Sequence, residues 1–425
     1  MSDTDELLRR RQQVLGRNSP LFYEKPLHLV RGEGAWVYDA DGAAYLDVYN
    51  NVPCVGHCNP RVVEAVSRQT ATLNVHSRYL DENLVAYAEK LTATFDASLD
   101  AVMMTCTGTE SNELALRIAR LLSGGEGIIV SDNSYHGNSP TLAGIASSFP
   151  GGENFPAFAR VVRVPDPAHD RQGRSDEELA AAFAQKVQEA VDSLEASGIK
   201  VAALLIDPFF ANEGLPDPVP GYVEQAVEIV RRAGGYYICD EVQSGFGRTG
   251  GAMWSHQLTG AIPDFVTLGK PMGNGFPVAG VVTRREWVDR FGEKSRYFNT
   301  FAGNPVAAAA GMAVLEAIEE QKLIDNSRVV GAHVRRGLER LVAKYPIVAN
   351  ARGRALFFGL ELSHPDGTPA ASETNVVVNR MRENGVLISR IGRHRNILKM
   401  RPPLVFSREN ADHLLSNLDS VIGAL

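Results

Sequence analysis

The sequence predicts an α/β protein: a large domain with a mostly parallel, mixed sheet between helices, and a smaller α/β domain. Three observations predict it. Short apolar runs alternate with helical patterns from Ala101 to about Thr283, which signals a parallel sheet. The 425 residues exceed one ordinary core and suit a large domain plus a small one. Hydrophobic content of 44% with 22% charged residues belongs to a globular chain.

The elements follow in order. Residues up to about Asn51 read as an arm followed by short strands, 36–42 and 44–48, around an Asp41-Gly42 turn. Helical patterns lie at 61–73 and 82–95. Strand-like runs come at 102–104, 127–130, 201–206, 236–239, 265–268 and 279–283, with long helices at 176–196 and 223–233. After Asn304-Pro305 the Ala-rich segment 306–320 is strongly helical, and strand candidates follow at 355–361 and 386–389. The division expected is 1–55 as arm and hairpin joining the small domain, 56–305 as the large domain, and 306–425 as the C-terminal small domain.

Composition excludes several classes. A net charge of -7 argues against a nucleic-acid surface. No stretch is long enough to span a membrane. Cys54, Cys58, Cys106 and Cys239 form no zinc-like array and read as buried free thiols. The first twenty residues carry Asp3, Asp5 and Glu6, unlike a secretory signal or an acid-poor transit peptide. A cytoplasmic location is expected.

Two strand ends carry chemistry. The run 236–239 ends in Asp240-Glu241-Val242-Gln243, and the run 265–268 ends in Gly269-Lys270-Pro271. Ends of parallel strands converge on one crevice. An acid and an amine delivered there are the parts that hold pyridoxal phosphate, Asp for the ring nitrogen and Lys for the aldehyde. Taken alone, each is more often a solvated loop charge or a cap. Thr107-Gly108-Thr109-Glu110 opens a helix, whose free N–H groups suit phosphate. Tyr135-His136-Gly137 follows a strand, and an aromatic there can stack on a planar ring.

These pieces carry a resemblance. Gly56-His57-Cys58-Asn59-Pro60, 107–113, Tyr135-His136-Gly137, 240–248, Gly269-Lys270 and 298–305 resemble, in order, the class III aminotransferases, pyridoxal-phosphate enzymes of fold type I. The resemblance implies roles. Lys270 links covalently to the cofactor and Asp240 pairs with its ring nitrogen. Val242 and Tyr135 sandwich the ring, with His136 beside them, and Gln243 approaches the ring hydroxyl. Gly108 and Thr109 bind the phosphate, and Thr300 arrives from a second subunit of a homodimer with shared active sites. Whether dimers pair into tetramers stays open.

The sequence also departs from the family default of amino transfer. Asn212 falls where glutamate-using relatives carry a second Glu, and Lys399 where they carry an Arg. Asn50-Asn51-Val52, Ser77-Arg78-Tyr79-Leu80, 270–275 and 394–399 are similar to the ethanolamine-phosphate phospho-lyases of the same superfamily. A phosphomonoester carries about −1.5 to −2 at neutral pH, which suits several cations; the candidates are Arg78, Lys399 and Arg401. The function expected is elimination of phosphate from ethanolamine phosphate to give acetaldehyde and ammonia. The alternatives are an aminotransferase acting on an ω-amine or on alanine and glyoxylate, and a phospho-lyase acting on phosphohydroxylysine.

Overall fold

The computed structural model describes residues 3–148 and 155–425. Its strands in chain order are Leu29–Glu33 (β1), Trp36–Asp39 (β2), Ala44–Asp47 (β3), Ala101–Thr105 (β4), Gly127–Ser131 (β5), Ala159–Val162 (β6), Val201–Ile206 (β7), Tyr236–Asp240 (β8), Phe265–Leu268 (β9), Ala279–Thr283 (β10), Val348–Arg354 (β11), Phe357–Leu362 (β12), Val386–Leu387 (β13), Ser389–Ile391 (β14) and Ile397–Met400 (β15).

The central sheet has the order β4-β10-β9-β8-β7-β5-β6. Strands β9, β8, β7, β5 and β6 are parallel, and β10 runs antiparallel to both β9 and β4. The apolar runs of these strands have no polar face because helices cover both sides. Alternate residues feed two separate cores. Ile128, Val130, Ala203, Leu205, Ile238 and Phe265 pack with Leu114, Ile118 and Leu122 of the helix Gly108–Ser123. Ile129, Leu204, Ile206, Tyr237, Cys239 and Val266 face the other way, toward Phe183, Val187, Val227 and Val230 of the helices Asp176–Ala196 and Tyr222–Arg232. The parallel strands β5, β7, β8 and β9 therefore end, at Ser131, Ile206, Asp240 and Leu268, along one edge of the sheet, and there the site forms.

Two smaller sheets complete the chain. One has the order β1-β2-β3-β13, so the N-terminal hairpin pairs with a strand more than 300 residues later, parallel at Val386↔Leu46. The other is antiparallel, β11-β12-β15-β14. It carries Lys399 of β15 onto Asn212 and Gln243 beside the central sheet.

Several elements differ from the expectation. The strand expected at 355–361 begins after a turn: Ala355 has φ 53 and joins β11 to β12. Strand β11 was hidden because its Asn350 and Arg352 look like loop residues; both bond Glu361 on β12. The run 386–389 divides between two sheets, β13 against β3 and β14 against β15. The N-terminal arm contains a helix, Asp3–Leu15. All four cysteines are free, but only Cys54 and Cys239 are buried; Cys58 is exposed and Cys106 half-buried. Among the described residues no helix is long and apolar enough to cross a membrane.

Candidate active site

Asp240 ends β8 with its carboxylate fixed from three directions. Asn112 Nδ2 donates to Oδ2 at 2.9 Å, His136 Nδ1 lies 2.7 Å from the same oxygen, and the Val242 N–H donates to Oδ1 at 3.0 Å. Burial alone pushes this carboxyl up, but His136, Asn112 and the Lys270 charge outweigh it, and the net pKa is lowered. A carboxylate offers about four lone-pair positions, so Oδ1 retains room for one more donor.

Lys270 follows β9 and Gly269 and opens a short 3-10 turn, Lys270–Gly273, with φ 28. It keeps part of its surface open, and that surface faces the cavity it shares with Asp240. Its pKa falls to about 8, first through burial and then through Arg401, against the pull of Asp240 and Asp207. An amine with that pKa is substantially neutral near pH 8 and can act as nucleophile and base.

The helix Gly108–Ser123 points its start at the same cavity. Thr107 caps it, accepting from the Glu110 N–H while Glu110 reaches back to the Thr107 N–H. The N–H groups of Gly108 and Thr109 lie in the first turn, where no intrahelical acceptor exists. Gly108 is needed for contact: a Cβ there would meet Val242 Cγ2 at 3.0 Å. Gly137, at φ +147, lets its loop close on Thr109, since a Cβ would sit 2.8 Å from Thr109 Oγ1. Val242 and Tyr135 both line the cavity, one aliphatic and one aromatic wall.

Behind Val242, Gln243 gathers two cations. Its Oε1 accepts from Lys399 Nζ at 2.9 Å and from Arg401 Nη1. Lys399 also donates to Asn212 Oδ1 at 3.1 Å, and Arg401 Nε to the Tyr49 carbonyl at 2.9 Å. Both cations are buried, and among the described residues neither forms an ion pair. Burial first, then Arg401, pulls the Lys399 pKa well below the usual lysine range.

Six residues of the cavity lie outside the expected set. Asn112, Ser134, Gly137, Asp207, Asn212 and Glu213 all line it. Asp207 Oδ2 is buried with no hydrogen-bond partner among the described residues. Burial and the nearby Glu213 push Asp207 well above the usual carboxylate range. Asp207 was open to detection, because it follows the last residue of β7 much as Asp240 ends β8.

Arg78 and Thr300 are not brought to this cavity. Both are exposed, and neither lines it. The Arg78 guanidinium sits 3.6 Å over the Phe298 ring, two residues from Thr300.

The cavity thus offers a fixed carboxylate, a lysine of lowered pKa, a helix N-terminus, and one aliphatic and one aromatic wall. Pyridoxal phosphate, with its ring nitrogen, aldehyde, phosphate and planar ring, makes complementary demands, so the residues fit it.

Comparisons with known proteins agree. The family model described as aminotransferase class-III matches residues 22–422. A Drosophila melanogaster protein described as alanine–glyoxylate aminotransferase 2-like is 37% identical, covering 96% of this chain and 85% of its own length. A Caenorhabditis elegans ethanolamine-phosphate phospho-lyase homolog 1 is 34% identical, covering 98% and 93%. A phospholyase from Arthrobacter, solved in complex with phosphoethanolamine, superposes with a TM-score of 0.96 at 47% identity, covering 99% of this chain and 100% of that one. This chain belongs to the class III aminotransferase family, of fold type I, and its cofactor is pyridoxal phosphate.

Proposed function

We propose that this enzyme is a phospho-lyase that eliminates phosphate from ethanolamine phosphate, giving acetaldehyde, ammonia and inorganic phosphate. The carrying observation is the pair Lys399 and Arg401, buried near Lys270, held by amide and carbonyl oxygens and by the rings of Phe357 and Tyr49, and without a carboxylate partner among the described residues. Buried charge without a counter-ion is unfavourable, and a phosphate of about −2 offsets both cations at once. The similarity to the phosphoethanolamine-bound phospholyase supports the same substrate.

When bound, pyridoxal phosphate supplies a ring that accepts the electron pair of a broken C–H bond. Asp240, kept ionised by His136 and Asn112, holds a proton at the ring nitrogen. Lys270 holds the cofactor covalently until substrate arrives, then takes the proton from the carbon bearing nitrogen. Gly108 and Thr109 anchor the cofactor phosphate, Val242 and Tyr135 hold the ring flat, and Gln243 meets the ring hydroxyl. Lys399 and Arg401 seize the substrate phosphate on the adjacent carbon. That grip would fix the orientation of the C–O bond, so that phosphate is the group that leaves.

Thr300 and Arg78 act in trans in this proposal, entering the cavity of a second copy in a homodimer. Their exposure, and the apolar surface of Leu73, Tyr79, Leu80 and Phe301 around them, supports it.

The test compares rates on one preparation: phosphate release from ethanolamine phosphate and from phosphohydroxylysine, and amino transfer from an ω-amine or alanine to pyruvate or glyoxylate. Ethanolamine phosphate is expected to give the highest kcat/KM. Faster amino transfer to either keto acid replaces the lyase with an aminotransferase, and faster phosphohydroxylysine turnover reassigns the substrate.

A further inference from the structure

Elimination of phosphate makes a demand that Lys270 and the two cations leave unmet, and the residue that meets it does so only if the phospho-lyase reading holds. When the C–O bond of a phosphomonoester dianion breaks toward oxygen, the departing fragment is the phosphate trianion. That species is a strong base and leaves poorly. A proton delivered to the bridging oxygen converts it to hydrogen phosphate, and such general acid catalysis is typically worth about 10²–10⁴-fold.

Glu213 is placed for this. It lines the cavity of Lys270 and directly follows Asn212, whose side chain accepts the Lys399 ammonium. Asn212 thus ties the acid, one residue on, to the cation proposed to bind the substrate phosphate. Ser131, at the end of β5, donates its hydroxyl proton to Glu213 Oε1. Glu213 also lines a second, polar chamber bounded by Asp132, Arg163, His169, Arg393 and Asn396. Arg163, His169 and Arg393 are exposed, so this chamber meets water. A carboxyl shared by the two spaces can give up a proton on one side and be resupplied on the other.

Its surroundings leave it partly protonated near neutrality. Burial raises its pKa to about 7, against the Ser131 hydroxyl, its own backbone N–H and His136; Asp132 acts with burial. Asp207, which lines the same cavity, and Lys399, which lies outside that lining, each feel its charge. On the chamber side Asp132 is paired with Arg393, and Arg352 is neutralised by Asp166 and Glu361. His169 pairs with Glu361, Arg163 with Asp170, and His394 completes the rim.

We propose that Glu213 is the general acid of the elimination. Its carboxyl proton passes to the bridging oxygen as the C–O bond breaks, and the electron pair of that bond goes to the same oxygen. Hydrogen phosphate leaves, and the Glu213 carboxylate regains a proton from water in the second chamber.

Ethanolamine O-sulfate supplies the comparison, because sulfate leaves as a weakly basic anion and needs no proton. With Glu213→Gln, carrying cofactor to the same visible absorbance as the wild type, phosphate release is expected to fall about 100-fold or more. Sulfate release is expected to change by no more than a factor of a few. The wild-type rate of phosphate release falls as pH rises through about 7, and Glu213→Gln lacks that limb. Ser131→Ala removes a hydroxyl that favours the carboxylate, so it moves the limb to higher pH. Equal losses on both esters overturn the proposal, as does a wild-type rate and limb in Glu213→Gln. If the wild type releases phosphate and Glu213→Gln behaves like it, the lyase survives and only the acid assignment falls. A wild type that transfers amino groups but releases no phosphate removes the lyase reading first, and the acid assignment with it.

Discussion

Lys399 is 2% exposed, and its ammonium donates to the amide oxygens of Asn212 and Gln243 and lies over the Phe357 ring. Each charge-assisted hydrogen bond to a ligand phosphate is worth roughly 1.5–3 kcal/mol. Lys399→Met is therefore expected to weaken ethanolamine phosphate roughly 10- to 100-fold, with the cofactor spectrum retained and an uncharged amine little affected. Equal weakening of both ligands would assign Lys399 to structure alone. Lys270→Ala is expected to lose both the visible absorbance of lysine-bound cofactor and trapping by borohydride; a trappable band that persists contradicts the assignment. At this scale Asp240 and Lys270 were legible because each closes an apolar run. Asp207 sends the same signal, but Pro208 makes it look like a turn. Glu213 sends none, since it lies in a loop and only the folded sheet sets Ser131 beside it.

Elements buried on both faces were the ones the sequence showed plainly. Strands β5, β7 and β9 are mostly apolar and have no exposed residue, and the helix Asp176–Ala196 lies within the range its periodicity gave, capped by Ser175. Strand β11 escaped because its polar residues are satisfied across the pair, by Glu361, rather than by water. Helix packing sets a further test. The helix Pro305–Glu320 lies on Glu82–Thr92, and Gly311 makes the approach possible: a Cβ there would fall 2.3 Å from Tyr87 Cζ. Tyr87 is fully buried and has little room to retreat. Gly311→Ala is expected to destabilise the protein by ~1–3 kcal/mol, read as a lower melting temperature of the cofactor-loaded enzyme. An unchanged melting temperature contradicts this packing.

At the scale of the whole molecule, the site is assembled from distant sequence: β8 and β9 bring the acid and the amine, the helix Gly108–Ser123 an anion cradle, and β15 a buried cation. The sequence could announce each part, but not the cation cluster on Gln243, which depends on β15 being carried against the central sheet. Leu80 is 104% exposed and Phe301 72%, on the surface that holds Arg78 over Phe298. If that surface joins two copies, Leu80→Arg yields a folded monomer by sedimentation, with native far-ultraviolet circular dichroism but poor cofactor retention and little activity. An active, cofactor-loaded monomer would place Thr300 and Arg78 outside the site.

The decisive measurement is incubation of the purified, cofactor-loaded enzyme with ethanolamine phosphate and no keto acid, following inorganic phosphate and acetaldehyde together. Continuous release of both in equal amounts over many turnovers is the result the proposed phospho-lyase predicts. No phosphate, with product forming only when pyruvate or glyoxylate is added, would contradict it.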